Sequence, residues 1–131
     1  MAYSLYDATV VMARSALTSL DSILVQAEKH SNAAGLLTLQ VHYAVSEAEA
    51  VAANLSGQEY EEPSEDLDSY EKMHARIENA PKELGKTKKE TANRVPVKAL
   101  VCSKHMPNIY FHVGITYAIL RIEGVALEKR D

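Results

Sequence analysis

The first thirty residues carry the strongest constraint on the fold, because apolar residues recur there at alternating four- and three-residue steps. A repeat of this kind forms the buried seam of a helix that packs against other helices. From Leu5 to His30 the chain has neither Gly nor Pro, so the helix can run for about 39 Å. Such a length is typical of a helical bundle. The seam residues are Tyr6, Val10, Ala13, Leu17, Leu20, Leu24 and Ala27.

The same periodicity predicts two more helices. A break rich in Ser, Asn and Gly at residues 31–35 separates the first helix from a second, predicted over residues 36–55. A third is predicted from residue 65 to about residue 80, with Ser64 as its N-cap and Pro81 as its kink or end. Their seams are Leu37, Val41, Ala44, Ala48, Val51 and Leu55 in the second helix, and Leu67, Tyr70, His74 and Ile77 in the third.

A fourth helix is predicted over residues 107–123. Pro107 suits the first helical turn, where its missing N–H has no partner to lose, and Gly124 suits the end. Gly114 lies inside this helix and costs it about 1 kcal/mol relative to Ala. We therefore expect another backbone or a ligand to approach closely at that point. The seam is Ile109, Val113, Thr116 and Leu120.

The connections between the later helices are polar. The acidic residues 58–66 are interpreted as a solvated loop, because their spacing is not that of a calcium-binding loop. Residues 95–102, VPVKALVC, are predicted to form a short extended strap between the third and fourth helices. Within the strap, Cys102 is either a thiol activated by Lys104 and His105 or a small buried hydrophobic residue.

Composition narrows the class of protein. The 131 residues suit one domain, residues 1–131, and the net charge of −4 argues against nucleic acid as a partner. A single cysteine excludes an internal disulfide and fits a reducing compartment. No run approaches the eighteen or so apolar residues of a membrane span, and the N-terminus lacks the pattern of a secretion signal. We therefore expect a cytoplasmic protein without a membrane or nucleic-acid partner.

Both ends of the chain resemble one family. The run from Pro107 onward, PNIYFHVGITYAILRIEGVALEKRD, resembles the C-terminal signature of the domain of unknown function nineteen ninety-three, and residues 4–10, SLYDATV, resemble its start. That family is similar to the DinB-like superfamily of four-helix bundles. Together with the four seams, the resemblance implies an all-α, up-down four-helix bundle with a strap between the third and fourth helices. It leaves the activity open.

Three histidines fall on three different predicted helices: His42, His74 and His112. Metal-binding members of the DinB-like superfamily use three histidines at the open end of the bundle, and two of theirs are four residues apart on one helix. This sequence has no such pair. We therefore predict no metal and no cofactor. Each imidazole is expected to be hydrogen-bonded at the edge of a seam.

The candidate ligand site lies between helices. It would be lined by Gln40, His42, Tyr110, His112 and Tyr117, although aromatic residues at helical spacing are also typical of a core. The predicted function is binding of a small molecule in this pocket. A DinB-like transferase or isomerase is the enzymatic alternative, and the sequence does not decide whether the protein is an enzyme. The third candidate is a non-enzymatic interaction protein that acts through homodimerisation.

Homodimerisation is suggested by apolar residues that lie off the main seams. A single bundle buries one face of each helix, so these lines are expected to stay exposed in a monomer. A two-fold dimer through the first and last helices would cover them. The alternative is that scattered surface aliphatic residues need no partner. The off-seam residues are Leu5, Met12, Ala16 and Ile23, then Leu36, Leu39 and Val45, then Ile115, Ile119 and Ile122.

Overall fold

The computed structural model describes residues 4–30, 34–87 and 101–127, and these contain four α-helices around one hydrophobic core. No strand occurs in these ranges, and the predicted all-α four-helix bundle is confirmed. Two of the helices follow directly on a π-helical turn. The elements are the turn Asp7–Val11, α1 Met12–His30, α2 Ala34–Leu55, α3 Tyr70–Gly85, the turn Val101–His105 and α4 Met106–Ile122.

The predicted seams of α1 and α2 form the centre of the core. The six seam residues of α2 and the six of α1 from Val10 to Ala27 have no exposed surface, while Tyr6 is half-buried at the end of its seam. In α4 the predicted seam is buried except for Val113, which is half-buried. The heptad pattern therefore identified the core of three helices.

The third helix begins later than predicted. It starts at Tyr70, and Ser69 rather than Ser64 is the N-cap, since the Ser69 Oγ accepts a hydrogen bond from the backbone N–H of Lys72 at 3.2 Å. Both serines are suitable caps. The choice falls on Ser69 because Leu67, just before it, is buried while the chain is still extended.

The third helix also ends later than predicted, because it continues through Pro81 to Gly85. A proline inside a helix costs about 3 kcal/mol. The extra turn buries Leu84 completely, and burying such a side chain contributes about 1.5–3 kcal/mol. The two terms are similar, so the helix survives the proline. Its buried seam is Met73, Ile77, Ala80 and Leu84, whereas the predicted members Tyr70 and His74 are only half-buried.

Residues 57–69 form a crossover that connects α2 to α3 along the length of the bundle. The hydroxyls of Ser56 and Thr87 lie 3.5 Å apart, so the end of α2 is beside the end of α3. Thr38, near the start of α2, shares a pocket with residues 65–68. Helices α2 and α3 therefore run in the same direction. Thirteen extended residues span up to about 43 Å, which is enough to return along an α2 helix about 33 Å long.

Contacts along the chain fix the remaining directions. The Tyr110 hydroxyl donates to the backbone oxygen of Met12 at 3.3 Å, so the start of α4 lies beside the start of α1. Asn54 near the end of α2 contacts His105, just before α4 begins. Thus α1 and α4 run in one direction, and α2 and α3 run in the other. The alternating up-down order that was expected from the sequence therefore does not hold between α2 and α3, because the long crossover returns the chain to the start of α2 before α3 begins.

The predicted strap lies mostly outside the described residues, which leave out 88–100. Its last two residues, Val101 and Cys102, are not extended, because they belong to the π-helical turn before α4. The side chain of Cys102 is exposed, so it is not the buried hydrophobic residue that the sequence offered as one interpretation.

Part of the off-seam apolar surface is buried within one chain. Ala16, Ile23 and Val45 were expected to stay exposed, but they are 4 %, 3 % and 0 % exposed. The expectation was wrong for these residues because α1 and α2 each contact more than one helix and bury a wider stripe than one seam. Leu39 and Ile122, in contrast, are 41 % and 83 % exposed.

The helical stretch Asp7–Lys29 is long and apolar enough to cross a membrane, as judged within the described residues by length and composition alone. The sequence expectation differed because it counted uninterrupted apolar residues. Buried core helices of bundles pass the same test, and 44 % of this window is buried in the structure. The finding therefore does not assign a membrane span.

Replacing Leu20 by Ala should lower the free energy of unfolding by about 2–5 kcal/mol, because Leu20 is completely buried and its loss leaves a cavity. Val25→Ala on the exposed face of the same helix, where Val25 is 38 % exposed, should change it by no more than about 0.5 kcal/mol. Chemical denaturation followed by circular dichroism measures both. Similar losses for the two variants would show that the seam is misassigned.

Candidate functional site

Arg76 of α3 is the centre of a polar cluster between α3 and α2. Its Nη1 donates to His42 Nδ1 at 2.6 Å, and its Nη2 donates to Ser46 Oγ and to Glu49 Oε1, both at 2.7 Å. The side chains of Arg76 and Glu49 are only 13 % and 18 % exposed. The three partners occupy one face of α2 at successive four- and three-residue steps, so a single guanidinium can reach all of them.

The crossover closes the cluster from the solvent side. The Tyr60 hydroxyl donates to Glu49 Oε1 at 3.0 Å, and Glu62 Oε1 lies 3.3 Å from His42 Nε2. Because Nδ1 of His42 accepts from Arg76, the neutral imidazole carries its proton on Nε2, the nitrogen that lies beside the Glu62 carboxylate. Two side chains of an otherwise exposed segment are thereby attached to the helix pair. The acidic residues 58–66, which were interpreted from the sequence as a solvated loop, are therefore anchored to the helices at two points, Tyr60 and Glu62.

Burial raises the pKa of Tyr60 to about 12, from an ordinary value of 10.0. A hydrogen bond with Ser46 and the charge of Arg76 lower it, while the carboxylate of Glu49 raises it further. The phenol is therefore protonated at neutral pH and acts as a hydrogen-bond donor to Glu49.

A pocket of about 500 Å³ opens beside the cluster, between α2, α3 and the crossover. Glu49 and Tyr60 belong to both the cluster and the pocket wall. Most of the charge on the wall is negative, and Lys86 is paired with Glu83 at 2.9 Å. The charged and aromatic lining residues are Glu49, Glu59, Tyr60, Glu61, Glu83 and Lys86.

The opposite edge of α2 carries a second set of polar contacts, with α4. His112 Nδ1 donates to Gln40 Oε1 at 2.7 Å, and the ring of Tyr43 lies 5.3 Å from the ring of His112. Burial lowers the pKa of His112, and the nearby charge of Glu47 opposes that shift in part. The neutral imidazole suits its role as donor to Gln40.

His105, at the end of the π-helical turn before α4, is engaged through both ring nitrogens. Nδ1 donates to Glu47 Oε2 at 2.5 Å, and Nε2 accepts from Asn54 Nδ2 at 3.3 Å. Neither nitrogen is left to activate Cys102. The interpretation of Cys102 as a thiol activated by this histidine therefore has no geometric support.

The five predicted ligand-binding residues do not meet in one pocket. Gln40 and His112 are hydrogen-bonded to each other, whereas His42 faces α3. The hydroxyls of Tyr110 and Tyr117 donate to the backbone oxygens of Met12 and Leu127, both at 3.3 Å. None of the five lines the pocket beside Arg76.

The third predicted helical histidine, His74, pairs with α1. Its Nδ1 lies 2.5 Å from Asp21 Oδ1 and its Nε2 lies 3.4 Å from Glu28 Oε2. His74 and Asp21 also border a second pocket, of about 400 Å³, between α1 and α3. Over residues 4–30, 34–87 and 101–127, no group of three His, Cys, Asp or Glu side chains is arranged to hold a metal ion. The absence of a metal from the protein stays a prediction.

Sequence reasoning missed Arg76, Ser46, Glu49 and Tyr60. A signal existed in α2, where His42, Ser46 and Glu49 follow one another at helical spacing beside the apolar seam. No pattern in the sequence pointed to Arg76 as their partner on α3. Its position beside these residues depends on α2 and α3 running in the same direction.

Comparisons with known proteins agree with this architecture. The sequence profile of the domain of unknown function DUF1993 matches residues 5–131. The fold is similar to the crystal structure of a DinB family member protein from Shewanella denitrificans, with a TM-score of 0.78 and 24 % sequence identity over 96 % of this chain and 89 % of that one. No curated protein matches the chain. The resemblance seen at the two ends of the sequence is thereby confirmed.

Arg76→Met should lower the free energy of unfolding by about 2–4 kcal/mol, because it keeps the apolar stem but leaves Glu49 without its cation in a largely buried site. Lys72→Met is the matched control, since it removes the exposed pair of Lys72 and Asp68 and should leave stability unchanged. Denaturant titration compares them. Equal effects would contradict a structural role for the cluster.

The stability that Tyr60 contributes should depend on alkaline pH. Because the folded state raises its pKa to about 12, the contribution is complete below about pH 10, the ordinary tyrosine pKa, and is lost as the pH rises through about 12. The difference in unfolding free energy between the wild type and Tyr60→Phe should therefore be constant up to about pH 10 and shrink above it. Denaturation at a series of pH values tests this, and a difference that stays constant to pH 12 would contradict it.

Proposed function

The chain belongs to the DUF1993 family and has the DinB-like four-helix fold, and from that premise we propose that it binds a small, positively charged molecule. The site is the pocket between α2, α3 and the crossover. Its volume of about 500 Å³ falls within the range of 300–1,000 Å³ that is usual for ligand pockets.

The position of Glu49 is the observation that carries the proposal. Arg76 and Tyr60 both donate to Oε1 of this carboxylate, and Glu49 also lines the pocket. A carboxylate held through one oxygen by two donors has a fixed orientation. Its other oxygen is the atom that a ligand donor in the pocket would meet. A pre-organised acceptor of this kind loses little conformational entropy on binding.

The charge of the wall supports a cationic ligand. Glu59 and Glu61 line the pocket from the crossover, and Glu83 lines it from α3. The one lysine of the wall, Lys86, pairs with Glu83 and cancels its charge, so the excess negative charge comes from Glu59 and Glu61. A concave surface with an excess of carboxylates concentrates cations and repels anions. A primary amine could also donate a hydrogen bond to Glu49.

The proposal keeps the predicted class of function, small-molecule binding, and moves its location. The sequence placed the site between α2 and α4. Its residues were Gln40 and His42 on α2, and Tyr110, His112 and Tyr117 on α4. The pocket beside Arg76 is favoured instead because it combines a cavity, a fixed carboxylate and a predominantly negative wall.

The test is a binding assay with matched probes. Short primary amines and α,ω-diamines should perturb backbone amide resonances of the residues that line the pocket, and carboxylic acids of the same length should not. Binding should weaken with added salt, because the attraction is electrostatic.

Glu59→Gln with Glu61→Gln is the informative variant, because it removes two exposed pocket charges and leaves the Arg76 cluster in place. It should weaken amine binding without changing the thermal stability. Glu71→Gln, exposed on the first turn of α3 and outside the pocket, is the control and should bind as the wild type does. Equal binding of amines and acids, or binding that the double variant does not change, would overturn the proposal.

A further inference from the structure

The outward face of α4 has an apolar seam of its own. Phe111, Ile115, Ala118 and Ile122 follow one another at four-, three- and four-residue steps, offset by two residues from the buried seam of the same helix. An offset of two residues places this outer seam on the opposite side of the helix. Phe111 is 59 % exposed, Ile122 is 83 % exposed and Ala118 is also exposed, whereas Ile115 is half-buried.

The outer seam is flanked by very little charge. Between Lys104 and Arg121 the sequence contains no Asp, Glu, Lys or Arg, although a solvent-facing helix ordinarily carries them. Arg121 itself is turned toward the end of the chain, because its Nη1 donates to the backbone oxygen of Leu127 at 2.9 Å. A contiguous exposed stripe of this kind is typical of an interaction surface.

Gly114 lies halfway along α4, beside the outer seam and about 100° around the helix from Ile115, and no described residue explains it. It is exposed, and no atom of the described chain, apart from its immediate neighbours and the helix's own backbone, lies within 4 Å of the position that a Cβ would occupy. The close approach that was expected from the sequence is therefore not made by any of the described residues. The glycine costs the helix about 1 kcal/mol relative to alanine. A partner helix that packs here would explain it, because the absence of a side chain lets another backbone come close.

We propose that the occupant of this face is a second copy of the chain, packed with its α4 antiparallel to the first. The two-fold axis crosses the outer seam halfway along the helix, at a level between Gly114 and Ile115. Such an axis brings Phe111 of one copy beside Ala118 of the other, a large residue against a small one. This interface is independent of the proposed ligand pocket, which lies between α2 and α3. The dimer predicted from the sequence was formed by the first and last helices. The interface proposed here retains α4 but is formed by α4 of both copies, without α1.

Charge at the two ends of the seam selects the antiparallel arrangement. Lys104 lies about two turns before Phe111, and Glu123 follows Ile122; both are exposed. In the antiparallel pair each Lys104 comes within about one helical turn of the other copy's Glu123. A parallel pair would place like charges against each other, which is unfavourable. Charge complementarity therefore favours a second copy in one orientation.

The size of the face is adequate for a dimer. Helix α4 has 17 residues and is about 25 Å long. Together with the adjoining edge of α2, where Tyr43 is 37 % exposed, the strip is two helices wide, or about 20 Å. Its area is of the same order as the roughly 800 Å² that each partner contributes to a stable interface.

Sedimentation equilibrium measures the dissociation constant directly. The wild type should be a dimer at micromolar concentration, and Phe111→Glu and Ile122→Glu should each raise the dissociation constant at least about thirtyfold, since an apolar interface residue is lost in both copies. Both side chains are largely exposed in one copy, so the variants should fold, which circular dichroism verifies. Val25→Glu, an equally drastic change on the exposed face of α1, is the control and should leave the constant unchanged.

Two further experiments test the orientation. Lys104→Glu or Glu123→Lys should each weaken the dimer about two- to thirtyfold, and the double exchange should restore it. In a Cys102→Ser background, oxidation of a mixture of Phe111→Cys and Ala118→Cys chains should give the mixed disulfide. Phe111→Cys alone should not cross-link, because the antiparallel axis separates the two sites by about 10 Å, beyond the reach of a disulfide.

A monomer throughout the concentration range would overturn the proposal, and so would a dimer that Phe111→Glu and Ile122→Glu leave intact. Efficient cross-linking of Phe111→Cys with itself would show a parallel pair and would also overturn it.

Discussion

The contact between the Arg76 guanidinium and one face of α2 holds together three parts of the chain that the hydrophobic core does not join specifically. Apolar seams can slide or rotate by a few degrees at small cost, whereas a planar guanidinium that bonds His42, Ser46 and Glu49 fixes both rotation and height. Tyr60 shares the Glu49 oxygen, so the crossover is held by the same ion pair. Register between α2 and α3, and closure of the crossover, thus depend on one largely buried cation.

Different faces of helix α2 contact different parts of the bundle. One side is the apolar seam, a second carries His42, Ser46 and Glu49 toward α3, and a third carries Gln40, Glu47 and Asn54 toward α4. The two polar edges do not mix, because the buried seam lies between them. This separation allows the α3 side to bear the proposed pocket and the α4 side to remain near the proposed dimer face, so that binding and association can be altered independently.

The sequence predicts the core of this protein far better than its polar contacts. A seam depends only on the period of a helix, and the residues from Val10 to Ala27 and from Leu37 to Leu55 could therefore be assigned without knowing any neighbour. The start of α3 could not, because Ser64 and Ser69 are chemically equivalent caps and the burial of Leu67 decides between them. The pairing of Glu49 with Arg76 could not be predicted either, because it depends on whether α2 and α3 run parallel or antiparallel. The crossover that decides this has no helical periodicity from which its path could be inferred.

The parallel arrangement of α1 and α4 has a consequence for how the chain is made. The seam of α1 is synthesised before α4, one of its neighbours, and Met12 and Tyr110 are 98 residues apart. At synthesis rates of about 5–20 residues per second, some 5–20 seconds separate the appearance of these two partners. During that interval α1 can be covered only by α2 and later by α3. The nascent chain therefore carries an incompletely covered apolar helix until α4 emerges. Only then does α4 shield α1 from chaperones and from other nascent chains.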